Sequence, residues 1–162
     1  SVISYDPNYR ASLWPDEETA KKHMRSLVPY VDLMKISDEE TELLTDHKDV
    51  RKAAEALYSQ GVKVVAVTLG GEGAYLYSKD GGCMVPGFAV KQITDTNGAG
   101  DSFWGGFLYK DSTSEKQLDE LTQEDLKEFA RFGNAVASLC VEKKGAIPAM
   151  PELAQVEERM GF

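Results

Sequence analysis

Two glycines flank one alanine, Gly98-Ala99-Gly100, where a helical pattern begins, and a carboxylate, Asp101, follows at once. An extended apolar segment, Gly87 to Ile93, precedes them, and the helical pattern runs to about Tyr109. Such a turn aims free backbone N–H groups outward at the positive end of a helix dipole, which suits an anionic phosphoryl group. A carboxylate beside that cradle adds a base, so the pair has what phosphoryl transfer to a hydroxyl needs. A plain reading stands next to this one: Asp is common in the first turn of any helix, and Gly-x-Gly is common in loops. Other phosphate motifs fit poorly. A dinucleotide fingerprint wants a third glycine where Phe103 stands. No Gly-x-x-x-x-Gly-Lys-Ser/Thr string occurs.

The elements that must position these residues are legible from periodicity. Val2 to Tyr5 reads as a strand, and Asp16 to Val28 as a helix with Ala20, Met24, Leu27 and Val28 on one face. Asp32 to Ile36 is a short strand, and Ser37 opens a short helix through Leu44. Asp49 to Gln60 is amphipathic through Val50, Ala53, Ala54, Leu57 and Tyr58, with Gly61 at its C-terminal cap. Val62 to Leu69 is almost continuously apolar and β-branched, as in a strand buried on both faces. Ala74–Ser78 and Cys83–Pro86 form a hairpin pattern, Thr122–Glu142 a long helix, and Glu152–Met160 a last short one. Strands alternating with helices predict a single α/β domain over 1–162, three-layered α/β/α around a mostly parallel sheet. In such sheets ligands sit at the carboxyl ends of strands. The segments Asp6–Arg10, Ser37–Glu40, Gly70–Gly73 and Asp95–Asp101 all follow strand ends and are expected on one rim.

Composition bounds the partners. The chain has 162 residues and a net charge of −9, with its acidic residues spread along it. That argues against nucleic acid or an anionic membrane as partner, yet leaves room for a nucleotide held by backbone N–H groups. Two distant cysteines, Cys83 and Cys140, fit reduced thiols in a cytoplasmic protein better than a disulfide. No apolar run reaches membrane-spanning length and no signal peptide opens the chain. There is no initiator Met, and Ser1-Val2-Ile3-Ser4-Tyr5 begins as a strand. The expectation is that an upstream part is missing, although Met removal or deliberate trimming also explains such a start.

The string Asp95-Thr96-Asn97-Gly98-Ala99-Gly100-Asp101-Ser102-Phe103 resembles the Asp-Thr-x-Gly-Ala-Gly-Asp-x-Phe signature of the ribokinase-like, phosphofructokinase-B type carbohydrate kinases. The resemblance implies a ribokinase-like fold. It makes Gly98, Ala99 and Gly100 the anion hole and Asp101 the catalytic base. It extends from Asp6 to Pro151 with motifs in family order, and covers about the C-terminal half of a family member. The ATP side and the base would lie in this chain; the sugar-contacting strands and the lid would lie elsewhere.

Other segments carry two readings each. Ser37-Asp38-Glu39-Glu40 is a good capping box; the family has Asn-x-x-Glu here, so Glu40 is carried over as a residue that positions Mg²⁺ through water, and Ser37 is not. Asp6-Pro7-Asn8-Tyr9-Arg10 is a turn by composition; it also resembles the Asp-x-Asn-x-Arg segment of fructokinases and 2-keto-3-deoxygluconate kinases, followed by Leu13-Trp14, which puts Arg10 near the transferred phosphate or sugar. Thr68, Gly70, Gly71 and Gly73 form a glycine turn that in the family borders the ATP phosphates and ribose. Asn97 belongs to the same nucleotide-binding set. Asn134 is either solvent-facing or, by resemblance, near adenine. Ala146 lies in Lys144-Gly145-Ala146-Ile147-Pro148, which resembles the loop closing the nucleotide pocket. With Asp95 and Thr96 that loop would frame a monovalent cation, usually potassium. His23 and His47 carry no ligand pattern; Phe103 and Trp104 read as helix packing. The implied partners are ATP, Mg²⁺ and a small sugar, fructose first and 2-keto-3-deoxygluconate or another hexose derivative second. An uncovered sheet edge would favour association, for instance a homodimer. A non-catalytic nucleotide-binding domain is the alternative from another class; a dinucleotide-dependent oxidoreductase is disfavoured by Phe103.

Overall fold

The β-branched run after Gly61 is the middle strand of a five-stranded sheet in the computed structural model, which describes residues 1–161. The strands are β1 (Ser4–Tyr5), β2 (Leu33–Ser37), β3 (Val64–Thr68), β4 (Gly73–Ser78) and β5 (Gly81–Pro86), side by side in that order. β1 is parallel to β2, and β2 to β3, with Leu33 opposite Val64 and Ser37 opposite Thr68. Parallel neighbours need a crossover, and helices supply it: α1 (Glu17–Leu27) between β1 and β2, α2 (Thr41–Thr45) and α3 (Val50–Ser59) between β2 and β3. β4 and β5 are joined by Lys79-Asp80 alone, a connection only an antiparallel pair can use. The fold is therefore α/β with a mixed sheet. Strand β1 is shorter than the Val2–Tyr5 pattern suggests, because Val2 and Ile3 stay exposed and only Ser4 and Tyr5 join the ladder.

The chain divides into two compact units, one made of Ser1–Thr68 with Tyr75–Cys83, the other of Leu69–Ala74 with Met84 onward. In the first unit, α1 starts where the Asp16 carboxylate accepts the Thr19 N–H at 2.7 Å, and α3 where Asp49 accepts from Lys52 at 2.9 Å. Ala20, Met24 and Val28 are buried as the stripe requires. Leu27, expected on that face, is 48% exposed; it sits at the margin of the stripe just where the helix passes into the turn Val28–Tyr30. Arg25 fastens α1 to the end of α2 through the Leu43 carbonyl at 2.7 Å and a bidentate pair with Asp46.

The second unit is built on α4 (Ala99–Thr113) and α5 (Gln123–Cys140), closed by α6 (Leu153–Met160). The apolar stretch Gly87–Ile93 forms no strand: Phe88 packs on the cluster of Phe132, Ala135, Val136, Val156 and Met160, while Ile93 is exposed. Helix α4 runs a turn beyond the predicted Tyr109. Its Phe107 stacks on Trp104 at 5.0 Å and meets Phe129 of α5 edge-on at 5.7 Å, so Phe103 and Trp104 are packing residues, as read. The two helices touch at glycine: a Cβ on Gly133 would lie 2.6 Å from the Phe103 carbonyl oxygen, and one on Gly106 would lie 3.0 Å from the Gly133 Cα. At the start of α5 the Asp125 carboxylate receives the Lys116 ammonium and the Thr122 N–H, which hold its pKa down to about 2.

This packing separates two superficially equal substitutions. Gly133→Ala should destabilise the protein by about 1–3 kcal/mol, since the helix must move off Phe103. Gly105→Ala on α4, where an added Cβ meets nothing within 4 Å, should stabilise by up to about 1 kcal/mol. Denaturant unfolding of both variants measures the difference; equal midpoints would remove Gly133 from the helix contact.

Candidate active site

The expected site residues fall into two groups, one in each unit. In the first unit the structure brings Asp6–Arg10, which follows β1, against Ser37–Glu40, which follows β2. The contact is made by Glu40. Its carboxylate is buried, Oε1 accepts the Ser37 N–H at 2.8 Å, and Oε2 accepts the Tyr9 N–H at 2.8 Å. The first bond is the glutamate half of the capping box that the sequence predicts. The second crosses 31 residues of chain and had no local signal. Burial first, and then the negative fields of Glu40 and Asp6, push the Tyr5 phenol above its ordinary value, so the end of β1 feels both carboxylates. Arg10 is exposed, and among the described residues its guanidinium makes no hydrogen bond or ion pair. Thr68 closes the group at the end of β3, its hydroxyl donating to the Ile36 carbonyl at 3.3 Å.

In the second unit the signature loop is stapled by Asp95. Oδ1 accepts the Asn97 N–H at 2.9 Å and Oδ2 accepts the Gly145 N–H at 3.0 Å. The first of these bonds, then the second, keep the Asp95 carboxyl below the usual carboxylate range. The same loop is tied again by the Thr94 and Asp95 N–H groups, which both donate to the Val141 carbonyl. Asp95–Asp101 and Lys144–Pro148 are thus brought together, as the order of motifs suggests. Ala146 marks how closely: a Cβ on Gly98 would lie 2.6 Å from the Ala146 Cβ. Gly98 is also in the left-handed region, φ 78°, where only glycine sits without strain.

The N-terminus of α4 follows directly. Ala99 is its first residue and Asp101 stands in the first turn. Among the described residues the N–H groups of Gly98, Gly100 and Asp101 have no acceptor, while that of Ala99 donates to the Thr96 carbonyl at 3.3 Å. The free donors therefore differ by one member from the Gly98-Ala99-Gly100 set read from the sequence: Ala99 is spent on the Thr96 carbonyl, and the Asp101 N–H is open instead. Asp101 is exposed, and its carboxylate has no hydrogen-bond or ion-pair partner among the described residues. An open carboxylate beside open amides can accept a proton next to an anion.

The remaining candidates are placed differently. Asn134 is buried, not solvent-facing, and its amide nitrogen donates to the Val85 and Pro86 carbonyls at 3.1 Å, which pins β5 to α5. Gly70 and Gly71 lie in an exposed turn, whereas Gly73 is buried at φ 110° with no room for a Cβ beside the Val85 carbonyl. Thr96 and Asn97 are exposed. Neither Cys83 nor Cys140 is in a disulfide, His23 stacks on Trp14, and His47 is exposed. Among the described residues no three His, Cys, Asp or Glu side chains cluster as a metal cage would need, and no helix is long and apolar enough to cross a membrane.

The Asp95 staple makes a pH prediction. A lowered folded-state pKa means that its stabilisation is complete above the ordinary aspartate value of 3.8 and is lost as pH falls through the depressed one. The backbone amide resonances of Asn97 and Gly145 should therefore titrate together, with a common midpoint below 3.8. Independent midpoints, or one above that value, would break the assignment of both bonds to one carboxylate.

Known proteins resemble this chain in sequence and fold. The chain is 40% identical over 159 residues to fructokinase-2 of Oryza sativa subsp. japonica, covering 97% of this chain and 46% of that protein. Fructokinase from Vibrio cholerae O395, crystallised with fructose, ADP and calcium ion, superposes with a TM-score of 0.88 at 30% identity, over 97% of this chain and 50% of that one. Ribokinase from Thermotoga maritima superposes with a TM-score of 0.76 at 30% identity, over 100% and 50%. The chain spans about half the length of the relatives it matches. The sequence model described as pfkB family carbohydrate kinase matches residues 1–153, and with the open Asp101 and glycine turn already in place, the chain belongs to that family.

Proposed function

We propose that this chain is the ATP-side half of a sugar kinase, with fructose as first choice of acceptor. One observation carries the reading: an unpartnered carboxylate, Asp101, in the same helical turn as unpartnered backbone donors. In the proposed step Asp101 takes the proton of a sugar hydroxyl as that oxygen attacks the γ-phosphorus of ATP; the bond from phosphorus to the ADP oxygen breaks. The Gly98, Gly100 and Asp101 amides stabilise charge on the transferring group, and Ala99 joins them only if its bond to Thr96 opens. Thr68, Gly70, Gly71, Gly73, Asn97 and Ala146 supply the nucleotide side. Asn134 serves it indirectly, since its amide nitrogen is committed to Val85 and Pro86.

Glu40 suits Mg²⁺ only through water, since each of its oxygens already accepts a backbone N–H. The metal would supply charge neutralisation on the phosphates. Asp95 and Thr96 are candidates to frame a monovalent cation, and the Asn97 and Gly145 N–H groups hold the Asp95 carboxyl below the usual carboxylate range. Arg10, with a free guanidinium, suits a phosphate or sugar oxygen. A cytoplasmic location and a homodimer fit this reading.

The coverage of about half of each relative supports a second reading, a nucleotide-binding piece without turnover of its own. We expect both features in the isolated 162-residue chain. Positioning of the acceptor within about 3 Å of the base supplies much of the rate, and the matching half of the fold holds that acceptor. A coupled ADP-release assay with fructose and other sugars, Mg²⁺ and K⁺ should show little turnover, with weak binding of ATP and none of NAD. Turnover of about 1 s⁻¹ or faster would show the chain sufficient. Joined to the other half of the kinase fold, Asp101→Asn should lower kcat by about 10²–10⁴-fold with unchanged thermal stability. Near-normal turnover would remove Asp101 from the role of base.

A further inference from the structure

Lys35 stands in the middle of β2, between Met34 and Ile36, and is only 5% exposed. A lysine at such a position is rare unless it is paired. Its ammonium lies 3.2 Å from the Asp6 carboxylate, the first residue after β1, and both side chains are largely buried, 6% and 16% exposed. Three residues further on, the Tyr9 N–H is held by Glu40. The turn Asp6-Pro7-Asn8-Tyr9 is therefore gripped at both ends, by a buried ion pair and by a buried carboxylate. Asn8 within it has a positive φ of 46°, a conformation that asparagine accepts more readily than most residues. The next residue is Arg10, whose guanidinium is unengaged among the described residues.

We propose that Lys35 is a positioning residue: through Asp6 it locks the turn that presents Arg10 to an anion, the phosphate chain of a nucleotide. The last clause rests on the kinase reading; the lock does not.

The test uses Asp6→Asn, which removes the charge and keeps the shape, and Lys35→Met, which removes the ammonium and keeps much of the volume. Amide-resolved hydrogen exchange on the whole chain should show Tyr9 exchanging at least about tenfold faster in both variants, while Ala54 and Leu57 inside α3 keep their protection. Should Lys35→Met not fold, Asp6→Asn carries the same expectation. Unchanged exchange at Tyr9, or acceleration there no greater than at Leu57, would overturn the lock and leave Lys35 a core residue only. Titration with Mg·ATP, followed on the Arg10 Nε–H resonance, then reads the function. A perturbation in the parent chain that needs at least about fivefold more Mg·ATP in Asp6→Asn supports the proposal. An Arg10 resonance indifferent to Mg·ATP, with the exchange result intact, would overturn the anion role alone.

Discussion

The close approach of α4 to α5 sets the geometry on which the second unit depends. Side chains on both helices normally hold axes 8–10 Å apart. Here Gly133 lets the Phe103 carbonyl and ring come within what would be overlap with a Cβ, and Gly106 faces Gly133 from the other side. The Phe107, Trp104 and Phe129 rings fill the space around that contact. With α4 seated by its buried side, Asp101 in its first turn is exposed, and the N–H groups of Gly98, Gly100 and Asp101 have no acceptor among the described residues. The donors are open because the first N–H groups of a helix have no intrahelical acceptor and Gly98 brings no side chain to cap them.

The acidic residues of the candidate site divide by what surrounds them. Glu40 and Asp95 each spend both oxygens on backbone N–H groups, and each joins two segments distant in sequence. A carboxylate is suited to that work because it accepts without donating and its charge strengthens each bond. Asp101 has no such partner among the described residues and is exposed. Three carboxylates in one set of family motifs thus do two jobs, holding loops and facing solvent. The same principle places Lys35: a cation inside an apolar strand must find an anion, and Asp6 is that anion.

Much of the fold was legible because local rules agree with the global result. The Asp49–Gly61 pattern, the β-branched Val64–Thr68 run and the Ser37–Glu40 box each fold as periodicity and capping predict. Gly87–Ile93 was not legible, since an apolar run reports burial and not pairing; Phe88 is partly buried without any ladder. Leu27 was misplaced because a helical stripe has margins that only the ending of the helix defines. Asn134 lay open between solvent and ligand until the carbonyls of Val85 and Pro86, nearly fifty residues away, proved to take its amide.

The sequence by itself determined the α/β class, the order of elements and the family, because those rest on short-range periodicity and on a long contiguous signature. It also named Asp101 and the glycine turn. Tertiary structure alone decided which polar groups are spent and which, among the described residues, are not: Ala99 bonded to Thr96 while the Gly100 N–H is open, Glu40 clamped to Tyr9, Lys35 buried on Asp6, Arg10 unengaged. The physical reason is that a contact between segments distant in sequence, such as Lys35 with Asp6 or Glu40 with Tyr9, leaves no period and no spacing in the chain. It exists only once packing has brought donor and acceptor within about 3 Å of each other.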